Sequence, residues 1–410
     1  MRRVVVTGMA GFSPIGNDWA TIERHLREGV TGIRVMHDWD KYTELNTRLG
    51  APVTDFERPA HYSRKHVRSM GRVALMSTRA TELALIDAGL RDDPTIQDGR
   101  MGVSYGSSTG SPDAVADFGN MLLNHSSAGL NANSYLKMMS HTAAVNIGVF
   151  FNLKGRVIPT SSACTSGSQG IGYAYEAIKY GHQDLMVAGG AEELCATEAA
   201  VFDTLYATST RNDEPALTPR PFDRDRDGLV IGEGACTLIL EEREHALARG
   251  ARIHAEIVGF ATNSDGSHVT QPEAETMYQA MASALRNAGL NPADVDYISA
   301  HGTATDRGDI AESQATYRLF GATTPISALK SFTGHTLGAC GALEAMTAIE
   351  MMNRNWFHGT VNLEHVDEAC APLDYIRQPG RDLDARCVMS NNFAFGGINT
   401  ALLFVRDSAA

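Results

Sequence analysis

Arg156-Val-Ile-Pro-Thr-Ser-Ser-Ala-Cys164-Thr-Ser-Gly-Ser168 joins a short apolar run to a helical pattern over Gln169–Tyr180. The run predicts a strand, and the periodicity after it predicts a helix. Cys164 therefore sits at a strand-to-helix turn, wrapped in residues too small to block its sulfur. Such a turn lifts the side chain out of the sheet and sets it on a helix N-terminus. Unpaired amides and the helix dipole there favour thiolate over thiol. The thiolate is the reactive form, so Cys164 is a candidate covalent nucleophile. The other reading of these residues is a small cysteine that merely packs well.

The same alternation runs through the chain. Strands are expected at Val4–Val6, Gly102–Tyr105, Val157–Pro159, Leu185–Ala188 and Cys236–Leu240, and helices at Thr21–Arg27, Val73–Ala88 and Ala143–Phe151. From about residue 250 the series restarts with strands at Ile253–Val258, Val295–Ser299, Pro325–Ala328, Cys387–Ser390 and Thr400–Val405. Helices are expected between them at Glu275–Ala288, Asp309–Leu319 and Leu343–Met352. Such alternation implies βαβ units, mainly parallel sheets and helices outside, hence an α/β fold. Two comparable series divide the chain into halves, 1–250 and 251–410, with no low-complexity linker between them. The halving rests on pattern, since no strong sequence repeat joins the two.

Composition narrows the class. Hydrophobic residues at 43% and charged residues at 20% fit an ordinary globular protein, and 410 residues exceed one small core. The apolar run behind Met1-Arg-Arg is too short for a signal peptide. No stretch approaches the ~20 apolar residues that cross a bilayer. A cytoplasmic enzyme without a membrane span is expected. The six cysteines (Cys164, Cys195, Cys236, Cys340, Cys370, Cys387) form no Cys-x-x-Cys pair, and none has a histidine at zinc-site spacing. Free thiols and no metal site follow. The formal charge of −13 speaks against nucleic acid as a partner. One basic island interrupts it: Arg58, Arg64, Lys65, Arg68, Arg72 and Arg79 occur with no Asp or Glu from Arg58 to Ala80. It fits a face that steers an acidic partner, or a solvated loop and helix.

Two histidines lie where expected strands end. His301 belongs to Ser299-Ala-His-Gly-Thr303-Ala-Thr305, and His335 to Lys330-Ser-Phe-Thr-Gly-His335-Thr-Leu-Gly. Ligands of α/β sheets gather at such carboxyl ends. Neutral imidazole can donate to a developing oxyanion or take part in proton transfer, or can be a satisfied structural group. Lys330, with Asp309, Glu312 and Glu344, is expected to form a buried charge network or to be a surface lysine. Asn391-Asn-Phe393-Ala-Phe395-Gly396-Gly397 follows the next strand, where paired glycines present backbone N–H groups and the two Phe can close a pocket.

Together these blocks resemble the elongating β-ketoacyl-acyl-carrier-protein synthases, a branch of the thiolase-fold condensing enzymes. The resemblance runs from Val4-Val-Val-Thr-Gly to Asn399. It is carried by Ala163-Cys164-Thr-Ser-Gly, His301-Gly-Thr-Ala-Thr, Lys330-Ser-Phe-Thr-Gly-His335, Asn392-Phe-Ala-Phe-Gly-Gly-Ile-Asn, Arg220-Pro-Phe-Asp and Arg226-Asp-Gly-Leu-Val-Ile-Gly-Glu-Gly. It implies a thiolase-like fold of two pseudo-duplicated βαβαβαββ halves in a five-layered αβαβα core. The first half would carry the cysteine and the dimer interface, the second the histidines and the gate loop. The implied activity is an acyltransferase: acyl transfer to Cys164, then decarboxylative condensation with malonyl-carrier protein. His301 and His335 would bind the malonyl thioester oxygen, with Lys330 and Glu344 organising the site and Asp309 in support. Amides of Cys164 and Phe395 would form the oxyanion hole, with Phe393 and Gly396 in the gate. Thr303 and Thr305 would contact the phosphopantetheine arm, and no other cofactor or metal is implied. Thr109, Phe202 and Met138 would line the acyl pocket; Arg64, Lys65 and Arg68 would dock the acyl carrier protein. The partner is a second copy, or a homologous chain-length factor.

The pair of histidines separates the chain from initiating and chalcone-type synthases, which use His and Asn. Degradative thiolases carry a second Cys in the C-terminal loop, and Asn391–Asn399 has none. Two positions depart from the pattern. Ala394 stands where elongating enzymes usually carry a flexible Gly, so a stiffer gate is expected. Thr109 stands where a larger apolar residue often limits the pocket. The wording also resembles ketosynthases of aryl polyene pathways acting on polyenyl chains. A cysteine acyltransferase or hydrolase is the remaining alternative from the residues themselves.

Overall fold

The computed structural model describes residues 1–407. Ten strands build one sheet. They are β1 (Val4–Phe12), β2 (Met101–Gly106), β3 (Val157–Thr160), β4 (Leu185–Glu192), β5 (Gly234–Glu242), β6 (Ala255–Ser264), β7 (Tyr297–Ser299), β8 (Pro325–Ser327), β9 (Cys387–Ala394) and β10 (Ile398–Val405). The first five lie in the order β3-β2-β4-β5-β1, and the second five in the order β8-β7-β9-β10-β6. In each set the order is third, second, fourth, fifth, first. The first three positions are parallel and the rest antiparallel. The two sets join where Val4–Val6 of β1 pairs antiparallel with Ala255–Ile257 of β6. Asp374–Tyr375 adds an eleventh strand beside β8. This repeat of topology is invisible as a repeat of sequence.

Six helices complete the layers. They are α1 (Arg72–Asp87), α2 (Thr142–Phe151), α3 (Ser166–Lys179), α4 (Ala274–Ala288), α5 (Asp306–Phe320) and α6 (Cys340–Arg354). α1 and α2 pack together outside the first half-sheet, and α4 and α5 outside the second. α3 and α6 touch strands of both half-sheets and each other, so they form the middle layer. The result is the five-layered αβαβα arrangement of the thiolase-like fold. A helix buried on all sides must be apolar or small throughout. α6 meets this over Cys340–Ile349, where the one charged side chain, Glu344, is paired inside.

The middle layer is tight. A Cβ on Gly190 of β4 would stand 2.1 Å from the carbonyl oxygen of Gly338, and one on Gly167 of α3 would stand 2.8 Å from the same atom. Each middle helix is also approached through a strained residue. Ala163 (φ 49°) precedes Cys164, and Leu337 (φ 46°) holds the matching place before α6. Both are left-handed non-glycine residues, which cost about 1 kcal/mol or more each.

The expected elements are present with shifted ends. The helix expected from Gln169 starts at Ser166, and that expected from Leu343 starts at Cys340. The expected strand Ile253–Val258 runs instead from Ala255 to Ser264. Helices Val115–Asn124, Ala132–Met138 and Ala196–Asp203 lie outside the expected elements; the latter two span about two turns and carry too few periods to stand out. Among the described residues no helix is long and apolar enough to cross a membrane.

Gly190→Ala is expected to lower unfolding stability by about 1–3 kcal/mol through overpacking. At Gly119 a Cβ meets nothing within 4 Å, so Gly119→Ala should instead raise it by about 0.5–1 kcal/mol. Urea unfolding of both variants checks the contrast.

Candidate active site

Four chain segments converge on Cys164. The elbow after β3 carries the cysteine, the end of β7 carries His301, and the turn before α6 carries His335. The β9–β10 hairpin carries Phe393 and Phe395. Three of them lie at strand ends, and the fourth follows β8 through the short helix Lys330–Thr333.

Cys164 Sγ lies 3.0 Å from His335 Nε2. The His301 and His335 rings stand 5.2 Å apart at 86°, and the sulfur and both imidazoles offer atoms within 4.8 Å of one another. Hydrogen bonds assign the tautomers. The Leu337 amide donates to His335 Nδ1 at 3.3 Å, so the His335 proton resides on Nε2, facing the sulfur. The Lys330 ammonium, which can only donate, lies 3.1 Å from His301 Nδ1, so His301 likewise carries its proton on Nε2. Burial first, and the Lys330 charge second, hold both imidazoles well below the usual histidine range. The site therefore holds two neutral rings, each with one N–H donor.

Lys330 is 1% exposed, so the surface-lysine reading fails. Its Nζ lies 2.5 Å from Glu344 Oε1, and the Asn392 amide donates to Glu344 Oε2 at 2.6 Å. Burial works against the Lys330 ammonium, but the Cys340 sulfur and the Glu344 and Glu312 carboxylates outweigh it and raise the group above the usual lysine range. That charge opposes a cation held by the neighbouring His301, Cys340 and Glu344. Asp309 does not join this network as expected. Its carboxylate accepts from the amides of Phe222 at 2.7 Å and Ala304 at 3.1 Å and faces Arg226 at 3.8 Å. The reason is its place in the first turn of α5, which points it at the 301–305 loop. Glu312 shares that task, accepting from the amides of His301 and Gly302, both at 2.7 Å.

The sulfur itself departs from expectation. Burial pushes the Cys164 thiol up to about 11, against the Lys330 charge and the N–H groups of Phe395 and Cys164 that face it. Desolvation of the charged form outweighs the helix N-terminus. The resting group is the thiol. The two N–H groups at the sulfur nevertheless form a donor pair beside the place where a carbonyl oxygen on Cys164 would lie.

A cavity of about 480 Å³ opens onto the sulfur, with Phe202, Arg226, Thr303, Thr305 and Phe395 in its wall. Phe395 stacks on Phe202 at 4.9 Å and 29°, and Phe393 lies 6.1 Å from His301. Gly396 (φ 84°) and Gly397 (φ 69°) turn the hairpin, and the Gly396 amide donates to Val269 at 2.9 Å. Thr109 and Met138 are not in the cavity wall; Thr109 binds the buried acids Glu192 and Glu198. Arg64, Lys65 and Arg68 are exposed on and beside a one-turn helix, outside the cavity, whereas Arg72 and Arg79 are tied to Glu233 and Glu82. Sequence reasoning passed over Asn392, although it quoted the motif that holds it. It also missed the Leu337 amide, because a backbone contact leaves no mark in residue identity.

Two family descriptions match the chain: "Beta-ketoacyl synthase, N-terminal domain" over residues 1–246 and "Beta-ketoacyl synthase, C-terminal domain" over residues 254–364. The 3-oxoacyl-[acyl-carrier-protein] synthase 2 of Coxiella burnetii is 36% identical over 99% of both chains. A beta-ketoacyl synthase from Burkholderia phymatum superposes with a TM-score of 0.98 at 62% identity, covering 99% of this chain and 100% of that one. The ishigamide ketosynthase/chain length factor superposes at 0.92 with 30% identity, again covering 99% and 100%.

A thiol held near 11 gives a direct expectation. Alkylation of Cys164 by iodoacetamide should accelerate about tenfold per pH unit from pH 8 to 10 without levelling. Lys330→Met removes the charge that favours thiolate and should slow the reaction further at every pH. A plateau below pH 8 would contradict the first expectation.

Proposed function

The chain belongs to the β-ketoacyl synthase family, and on that premise we propose that it is an elongating 3-oxoacyl-[acyl-carrier-protein] synthase whose growing chain rides on Cys164. One observation carries the reading. His301 and His335 each have Nδ1 occupied by a donor, so each carries its proton on Nε2; that of His335 faces the sulfur, and the His301 ring stands beside it. Two neutral donors beside one nucleophile suit an oxyanion, not proton abstraction.

In the first step Cys164 sulfur attacks the thioester carbonyl of an acyl chain on the phosphopantetheine arm of a carrier protein. Negative charge on that oxygen is met by the N–H groups of Cys164 and Phe395. The carbon–sulfur bond to the arm breaks, and the departing sulfur takes the proton that the thiol gives up. In the second step malonyl-carrier protein fills the cavity with its thioester oxygen on the two Nε2–H groups. The bond to the carboxylate breaks as carbon dioxide, and its electron pair becomes an enolate held by the imidazoles. The enolate carbon attacks the Cys164 thioester, whose oxygen returns to the amide pair. Collapse frees the sulfur and leaves a 3-oxoacyl chain two carbons longer. Lys330, fixed by Glu344, keeps the His301 proton on the side that faces substrate. Thr303 and Thr305, whose hydroxyls lie 2.9 Å apart in the cavity wall, suit contact with the arm. No metal or further cofactor has a place in these steps.

The acidic carrier protein is assigned to Arg64, Lys65 and Arg68, which steer by charge. Residues 1–250 and 251–410 are taken as the two halves, one bearing the nucleophile, the other the imidazoles and the gate. A dimer, with a second copy or a chain-length factor, fits the outer edge strand β3, where Val157 is half exposed. An unpaired apolar edge invites a partner strand. The cytoplasm is the compartment of this reading, matching six free cysteines among the described residues. Likeness to the ishigamide ketosynthase favours, as a second reading, a polyketide or aryl polyene ketosynthase acting on polyenyl chains.

Intact-mass measurement after incubation with acyl-carrier protein should show one acyl adduct, absent in Cys164→Ala. His301→Ala and His335→Ala should keep the adduct but lose about 10²–10³-fold in carbon dioxide release from malonyl-carrier protein. An adduct persisting in Cys164→Ala, or undiminished decarboxylation in both histidine variants, would overturn the reading.

A further inference from the structure

The wall of the cavity that opens onto Cys164 contains the charged side chains of Arg226, Asp227, Asp265, Asp306, Arg307 and Glu312. All but one are committed within the fold. Arg226 donates to the carbonyls of Asp223 (2.9 Å), Thr305 (3.3 Å) and Asp306 (3.0 Å) and pairs with Asp367 at 2.5 Å. The Asp306 carboxylate faces Arg226 at 3.2 Å. Asp227 accepts from the Ser209 hydroxyl and the Thr210 amide and faces Arg211 at 3.5 Å. Asp265 accepts from the Asn399 side-chain amide at 2.7 Å and from the Thr276 hydroxyl. Glu312 holds the amides of His301 and Gly302. Arg307 is the exception. It is exposed, and its guanidinium has no hydrogen-bond or ion-pair partner among the described residues.

A side chain that is both exposed and in the cavity wall stands at the mouth. Arg307 follows closely on Thr303 and Thr305, the hydroxyls that suit the phosphopantetheine arm, and shares the wall with them. Beside it the Asp306 charge is offset by Arg226, and Tyr206 (89% exposed) and Val269 (67% exposed) add neutral surface to the same wall. The mouth therefore offers hydroxyls, apolar groups and one free cation. The arm has a matching order of groups. Its thioester is at the reacting end, amides and a dimethyl segment follow, and a phosphodiester at the far end carries its only charge. With the thioester at Cys164, the phosphodiester comes last along the cavity, toward the mouth. A guanidinium presents a fork of donors that fits phosphate oxygens. Arg64, Lys65 and Arg68 lie outside the cavity and do not compete for that place.

We propose that Arg307 binds the phosphodiester of the phosphopantetheine arm, so that the mouth of the cavity selects phosphorylated acyl donors. The inference rests on Cys164 as acyl carrier. Its test measures kcat/KM for acylation of Cys164 by the decanoyl thioesters of pantetheine, of phosphopantetheine and of carrier protein. At low salt the phosphopantetheine thioester should exceed the pantetheine thioester about fivefold. Arg307→Gln should bring that ratio to about one, and should slow the carrier-protein thioester by about the same factor. Arg307→Lys, charged but without the fork, should keep part of the ratio. Raising salt to about 1 M should bring the ratio toward one in the unsubstituted protein. Equal acylation by the two free thioesters at low salt, or a ratio that survives in Arg307→Gln, would overturn the proposal. So would a loss in Arg307→Gln confined to the carrier-protein thioester, because Arg307 would then meet an acid of the carrier and not the phosphate. Acylation of Cys164 by none of the thioesters would overturn Cys164 as carrier, and the proposal with it.

Discussion

Where α3 meets α6, backbone touches backbone. Gly167 and Gly190 lie against the carbonyl of Gly338 at distances that leave no room for a Cβ. That contact brings the elbow of Cys164 and the turn of His335 together, and the 3.0 Å sulfur–imidazole distance follows from it. Glu192 reinforces it by receiving the Gly338 amide from one half of the molecule and three serine donors from the other. Strain at Ala163 and Leu337 is held in place by the same packing, because neither turn can relax without separating the helices. Side chains at the crossing would open the gap, and the two donor sets would no longer share one reaction space.

Inside that space one buried cation orders the chemistry. A lysine at 1% exposure survives only because Glu344, itself held by Asn392, lies within hydrogen-bond distance. Its charge does three things at once. It occupies His301 Nδ1, it disfavours protonation of both imidazoles, and it partly offsets the burial that raises the Cys164 thiol. The pair is thus less a source of stability than a means of keeping two rings neutral and correctly turned.

Much of this was legible from sequence. Strand and helix periods marked nearly every element of the five layers, since each half-sheet strand is a short apolar run and each long helix a repeating face. Cys164, His301, His335, Lys330 and Glu344 stood out as rare residue types in glycine-rich turns at strand ends, and they share one site. What misled was reasoning from a single local effect. The helix N-terminus behind Cys164 is real, yet desolvation exceeds it. Asp309 stood near Lys330 in expectation because it is an acid in a histidine motif, but helix phase turns it toward Phe222 and Ala304. Thr109 was read as pocket wall and is a link between two buried acids.

The sequence alone determined the order of elements and the chemical inventory, because hydrophobic period and residue type are local properties. It also determined that the cysteine lies on a turn, since small residues between a strand and a helix permit little else. Tertiary structure decided the rest. The repeat of strand order, the tautomers of His301 and His335 and the height of the Cys164 thiol all arise between segments distant in sequence. Each depends on burial and on a partner across the middle layer, and neither quantity can be computed from neighbours along the chain.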